Sequence, residues 1–158
     1  MCNFASFVLT KDREFYCENG DSHSNIISAN NLHEWGATGP NIVKVEIRPT
    51  DKIKKWPDLH AWKFSIDQDI LPDWADAETC EKRTREALKR RAKKGFNNVD
   101  ASGCTALTTL RADAAKTVNA NGCVSLTILN ADAAKTVNAI GCNPQLVIEA
   151  KKGAKIWR

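Results

Sequence analysis

The nonapeptide Ala-Asp-Ala-Ala-Lys-Thr-Val-Asn-Ala occupies residues 112–120 and recurs unchanged at residues 131–139. The dipeptide Gly-Cys begins at Gly103, Gly122 and Gly141, so the repeat is 19 residues long. Identical residues at a fixed period are the signature of an architecture built from stacked units. The last third of the chain is therefore predicted to be a short repeat array.

The apolar spacing within one repeat favours short strands over a helix. The apolar positions are Val118, Ala120, Cys123, Leu126, Leu129 and Ala131. Steps of two residues, as from Val118 to Ala120, place side chains on one face of a strand, and steps of three suit corners. Two strands and two corners in 19 residues predict one coil of a flattened β-solenoid, with like residues stacked in internal columns. The glycines are expected at corners with positive φ.

This pattern resembles the repeats of leucine-rich-repeat proteins, in which a Leu-x-x-Leu segment is followed by a polar or cysteine position. Leu107 and Leu110 match that segment, as do Leu126 and Leu129. The arrangement is also similar to short Gly-Cys repeat tails of uncharacterised bacterial and phage proteins. Both resemblances cover about 60 residues and imply an architecture without a chemical activity.

Ahead of the repeat, alternating and capped segments predict a small α+β domain. We expect a hairpin from residues 4–17, a helix from His23 to about Leu32, and strands at residues 41–48 and 61–66. A helix capped by Asp76 is expected to run to about Lys94, where Gly95 stops it, and to cover the open end of the solenoid. The predicted domains are residues 1–75 (α+β), 76–98 (basic capping helix) and 99–158 (solenoid).

Composition bounds the class of protein. The 158 residues are 42% hydrophobic and 27% charged, with a net charge of +4. The sequence contains neither an apolar run of bilayer length nor a secretory signal, so we expect a cytoplasmic protein with reduced cysteines. The cysteines at 104, 123 and 142 are expected to be buried thiols, since stacked side chains do not surround an ion. No metal or cofactor is predicted.

Catalysis has one candidate, the N-terminal cysteine. Removal of Met1 would leave Cys2 as a nucleophile with its own amine as base. A Met-Cys start before a strand resembles N-terminal-cysteine amidohydrolases and SRAP proteins, although Asn3 stands where those families have glycine. An enzyme with Cys2 as nucleophile is therefore an alternative function.

Histidines and aspartates in the first half have ordinary explanations. His23 follows Asp21 and Ser22 at a helix start, where a capping role is expected. Asp67, Asp69 and Asp73 flank a strand end, where carboxylates can bind a metal or act in acid–base catalysis, but aspartate-rich turns are the commoner reason.

A basic helix supports a second alternative, binding of nucleic acid. Eight Lys and Arg residues lie between positions 82 and 94, and Arg85, Lys89 and Arg90 are the candidate phosphate contacts. The helix contains no aromatic residue for stacking on bases, and charge runs are usually solvated faces.

The leading hypothesis is a non-enzymatic protein-binding module, in the manner of a phage inhibitor of a host enzyme or defence complex. Repeat stacks present a rigid lateral surface to a partner. The expected binding residues are the recurring polar positions of that surface: Asp113, Lys116, Asn119, Asp132, Lys135 and Asn138. Because Asn119 is expected to face outward, its replacement by Asp is predicted to cost no more than roughly 0.5 kcal/mol of stability.

Overall fold

The computed structural model describes residues 5–17, 22–50 and 52–158. It shows an α+β protein with a C-terminal β-solenoid of 19-residue coils, as the repeat predicts. In chain order the α-helices and strands are β1 (Ala5–Leu9), β2 (Glu14–Phe15), α1 (His23–Ala29), β3 (Val43–Pro49), β4 (Lys55–Trp56), β5 (Trp62–Ile66), α2 (Ala77–Lys94), β6 (Asn98–Asp100), β7 (Thr109–Arg111), β8 (Thr117–Asn119), β9 (Ile128–Ala131), β10 (Thr136–Asn138), β11 (Val147–Ala150) and β12 (Lys155–Trp157).

The chain divides into two compact units. We call Phe4–Arg48 together with Lys63–Lys89 the N-terminal unit, and Pro49–Trp62 together with Arg90–Arg158 the solenoid unit. The predicted boundaries differ, since they assign residues 49–62 to the first domain and residues 76–98 to a separate helix. In the structure residues 49–62 belong with the repeats, because β4 pairs with β7.

The N-terminal unit is built on a four-stranded sheet in the order β2-β1-β3-β5. β1 is antiparallel to both of its neighbours, and Ser6 lies opposite Glu46 in the register with β3. Val43, Val45 and Ile47 are fully buried on one face of β3, as their alternation predicts. On the opposite face of the sheet, Val8 packs with Ile26 of α1.

Both helices begin at capped positions. The Ser22 hydroxyl accepts a hydrogen bond from the Asn25 amide at 3.1 Å and caps α1. Asp76 accepts from the Thr79 amide at 2.8 Å at the start of α2, and the Thr79 hydrogen bonds lower the pKa of Asp76. One face of α2 is buried: Cys80, Thr84, Ala87 and Leu88.

The solenoid consists of two parallel four-stranded sheets. One has the order β12-β10-β8-β6, and the other has the order β11-β9-β7-β4. Equivalent residues pair directly, so Val118 lies between Val99 and Val137. The apolar positions predicted to face inward are buried, from Val118 through Cys123 to Ala131. This geometry confirms the predicted 19-residue coil.

The first coil of the solenoid unit is closed by aromatic side chains. Trp56 is in register with Leu110 and extends that internal column by one rung. Its ring is 5.0 Å from that of Trp62 and 6.3 Å from that of Phe96, and the Arg91 guanidinium lies 5.4 Å from the Phe96 centroid. These rings cover apolar side chains that the end of a β-stack would otherwise expose.

The corner glycines have the backbone conformation that the repeat predicts. Gly103, Gly122 and Gly141 have φ values of 74°, 74° and 69°. Side-chain-bearing residues rarely adopt this left-handed conformation, which explains why glycine recurs at each corner.

Candidate functional site

The charged residues predicted to bind a partner lie together on one corner of the solenoid. Asp113, Lys116, Asp132 and Lys135 are all exposed. The Asp113 carbonyl accepts from the Ala133 amide at 3.0 Å, and the Lys116 carbonyl accepts from the Lys135 amide at 2.9 Å. Successive coils therefore align these side chains in two short columns of opposite charge.

The two predicted asparagines have structural roles that the repeat alone did not reveal. Asn119 and Asn138 are half-buried. Asn119 donates from Nδ2 to Asp100 Oδ1 at 3.1 Å, and its Oδ1 accepts from the Asn121 amide. Asn138 accepts in the same way from the Ile140 amide at 3.2 Å. Both residues face outward between buried neighbours, as predicted, but their side chains stabilise the turns after β8 and β10 and are therefore only partly exposed.

Several cations of α2 are already paired. Arg85 is 2.7 Å from Glu81, and Lys89 is 2.7 Å from Glu86. Arg83 contacts Glu14 of β2 at 2.8 Å. These glutamates offset three of the eight positive charges between positions 82 and 94, which weakens the attraction of this helix for a phosphate backbone. Arg90, the third candidate, is exposed.

The catalytic candidate Cys2 lies outside the described residues, so its prediction stands as made. The cysteines within the described ranges form no disulfide. Burial, with smaller effects from Cys104 and Cys142, raises the pKa of Cys123 to about 12. Burial also raises the pKa of Cys80 and of Cys142. These three thiols are protonated at neutral pH and are poor nucleophiles.

The outer face of the β4-β7-β9-β11 sheet carries an apolar column that sequence analysis missed. Ile128 lies between Thr109 and Val147 in the register. Ile128 is 45% exposed and Val147 is 58% exposed. The adjacent outer column is polar, and its Asn130 side chain donates to Glu149. The alternation of outward Ile128 with inward Leu129 was the available signal, although two adjacent apolar residues do not show by themselves which of them faces outward.

A shallow pocket of about 180 Å³ lies in the N-terminal unit. Trp35 and Ile70 line it and are 63% and 60% exposed. Lys44 forms an ion pair with Glu34 at 3.1 Å beside them. The remaining lining residues are Pro40, Ile42, Gln68 and Asp69. Its apolar walls and single ion pair have the make-up of a small-ligand pocket but contain no catalytic arrangement.

The predicted capping role of His23 is wrong. Ser22 caps the helix, and the His23 ring instead turns toward the sheet. His23 Nε2 is 3.1 Å from the Val45 carbonyl oxygen, and Nδ1 is 3.1 Å from Asp67 Oδ2. Of the three aspartates considered around the strand end, Asp67 is the one that contacts this histidine. The fold thus joins residues that are 44 positions apart in the sequence.

Within the described ranges, no helix has both the length and the apolar composition needed to cross a bilayer.

Comparison of the chain with protein-family models, with curated proteins and with solved structures finds no match.

Proposed function

We propose that this protein is a binding module for another protein and that the contact surface is the outer face of the β4-β7-β9-β11 sheet. We call this surface the Ile128 face and define it by Arg111, Ile128, Asn130, Val147 and Glu149. The observation that carries the proposal is the pair Ile128 and Val147, two exposed branched aliphatic side chains in direct register. Apolar side chains surrounded by polar ones have the anatomy of a protein interface.

The backbone under Ile128 is held on both sides. β9 pairs with β7 and with β11, and the Thr127 amide donates to the Thr108 carbonyl at 3.0 Å. Branched side chains on a fixed strand have few rotamers to lose when they contact a partner. A preorganised surface therefore gives up little conformational entropy on binding.

The charge of the Ile128 face favours a protein over a nucleic acid. Arg111 and Glu149 lie in the same outer column as Asn130 and carry opposite charges. The neighbouring corner columns also alternate in sign, with Asp113 near Lys116. A phosphate backbone is bound by an excess of positive charge, which this face does not have.

The test compares substitutions on the two sheets of the solenoid. Ile128→Asp and Val147→Asp place a charge at the centre of the Ile128 face, and Thr117→Asp places one at an exposed strand position of the other sheet. Tagged forms are expressed in the native host, and the retained proteins are quantified by mass spectrometry. We expect one partner to be retained by the wild type and by Thr117→Asp and to be lost from both face variants.

Unfolding curves of all four proteins accompany this test, because the comparison requires equal stability. Each substitution lies at a solvent-facing position, so the free energies of unfolding should agree within roughly 0.5 kcal/mol, the change expected for surface residues. Retention of the same proteins by all four forms, or loss from Thr117→Asp as well, would contradict the proposed surface.

A further inference from the structure

Three side chains that commonly bind metals meet in the N-terminal unit. His23 is the first residue of α1, Glu46 lies on β3, and Asp67 follows β5 directly. One donor atom from each lies within 4.8 Å of the other two. Three separate elements supply these residues, so local sequence composition does not account for their proximity.

The two nitrogens of the His23 ring both face acceptors. A carbonyl oxygen can only accept, so Nε2 must carry a proton to bond with Val45 at 3.1 Å. Nδ1 is 3.1 Å from the Asp67 carboxylate, which also only accepts when ionised. A second proton or a cation must therefore lie between Nδ1 and Asp67. In metal sites the ring nitrogen that does not bind the ion typically donates to a backbone carbonyl or a carboxylate, as Nε2 does here.

The charges of the cluster favour a divalent ion over a second proton. Asp67 and Glu46 together carry two negative charges, and an imidazolium offsets one of them. Within the described part of the chain, the side chain of half-buried Glu46 has no hydrogen bond and no ion pair. Lys44, on the same face of β3, is paired with Glu34. A divalent cation with neutral His23 would balance both carboxylates.

A buried hydroxyl next to Glu46 is a further, independent sign. Ser6 is 1% exposed, and its Oγ has no hydrogen-bond partner among the described residues. Ser6 lies directly opposite Glu46 in the β1–β3 register, and such pairs have Cβ atoms about 4.5–5.5 Å apart. Carboxylates that bind metals usually accept an additional hydrogen bond, and a serine at this position can supply one.

We propose that His23 Nδ1, Glu46 and Asp67 bind a divalent transition-metal ion. One imidazole nitrogen with carboxylate oxygens suits Zn²⁺ or Mn²⁺, whereas Ca²⁺ requires about six to eight oxygen ligands. Neighbouring ligands of a tetrahedral ion with bonds of about 2.0–2.2 Å are roughly 3.3–3.6 Å apart. His23 Nδ1 and Asp67 Oδ2, at 3.1 Å, therefore need to separate by only a few tenths of an ångström to bind one ion. Three protein ligands leave at least one coordination position for water or a small ligand.

Binding is tested first with Mn²⁺, which has little affinity for the cysteine thiols. The full chain is stripped with a chelator and titrated while the electron paramagnetic resonance signal of free Mn²⁺ is followed. We expect one ion per chain in the wild type. Glu46→Gln and Asp67→Asn should each weaken binding by at least roughly tenfold, since even loss of a hydrogen bond to a ligand costs about 10- to 100-fold. Asp73→Asn, an exposed carboxylate of the same connection, should bind as the wild type does.

The second measurement identifies the nitrogen that binds. Long-range ¹H–¹⁵N spectra of the three histidines are recorded on the wild type without and with one equivalent of Zn²⁺. We expect His23 Nδ1 to shift on addition of Zn²⁺ while Nε2 keeps its proton. The proposal is overturned if Mn²⁺ binding does not saturate at millimolar concentration or if the two variants bind Mn²⁺ as the wild type does. It is also overturned if the ¹⁵N chemical shifts of His23 do not change when Zn²⁺ is added. The wild-type spectra decide the matter even if a variant fails to fold.

Discussion

Replacement of Cys123 by Asp probes the interior of the solenoid most sharply. Cys123 is fully buried in the middle coil, and its Sγ donates to the Ala101 carbonyl at 3.0 Å. An ionised carboxylate cannot donate this bond and would face the carbonyl oxygen instead. The structure also indicates how much a buried negative charge costs at this position, because burial raises the pKa of the Cys123 thiol from 9.0 to about 12. At about 1.36 kcal/mol per pKa unit, a negative charge at this position costs roughly 4 kcal/mol.

The assay is urea unfolding of Cys123→Asp beside its exposed neighbour, Val124→Asp. At pH 7 we expect Cys123→Asp to lose about 3–5 kcal/mol and Val124→Asp to stay within roughly 1 kcal/mol of the wild type. The pKa of the carboxyl introduced by Cys123→Asp should be raised in the folded state, so folding takes up a proton above the unfolded pKa of about 4. The stability deficit should therefore grow as the pH rises from about 4 to 7. Equal midpoints for the two variants would refute the inward assignment of the cysteine column.

Two further pairs of substitutions test the turns of the solenoid unit. Asn119→Asp should cost about 1–2 kcal/mol in urea unfolding, and not the 0.5 kcal/mol expected from the repeat alone, because it loses the donor to Asp100 and adds a like charge. Asn138→Asp is the matched control and should cost less, and the reverse order would contradict the assigned hydrogen bonds. Gly95→Ala should lower the thermal midpoint more than Gly103→Ala. Both glycines have positive φ, but an added Cβ at Gly95 would lie 2.4 Å from the Ala114 side chain, whereas none lies within 4 Å at Gly103. If both variants lower the thermal midpoint equally, the contact between the added Cβ at position 95 and Ala114 does not destabilise the protein.

Periodicity made the solenoid predictable in detail. Because each coil stacks on the previous one at a fixed spacing, the 19-residue offset assigns strands, corners and inward positions together. The pairing of Val118 with Val99 and Val137 follows directly from that offset. Alternation likewise predicted β3, and the cap residue Asp76 predicted where α2 begins.

Features that depend on distant residues could not be read from local patterns. β4 is two residues long, too short for alternation to reveal, and its partner strand lies more than 50 positions later. Asn119 recurs as Asn138 in the next coil, but Asn119 donates a hydrogen bond to Asp100, which stands in the preceding coil where the repeat otherwise has Asn. His23 and Asp67 are brought together by the packing of α1 on the sheet, and the residues next to each of them in the sequence do not indicate this contact.

Site-specific photo-crosslinking tests the central proposal, a protein partner on the Ile128 face, most directly. A benzophenone amino acid is placed at position 128 in one form of the protein and at position 117, on the other sheet, in a second form. Both are irradiated in the native host. The account predicts that position 128 forms an adduct with one recurring protein, that position 117 does not, and that Val147→Asp abolishes the adduct. No adduct at position 128, or the same adduct from both positions, would contradict it.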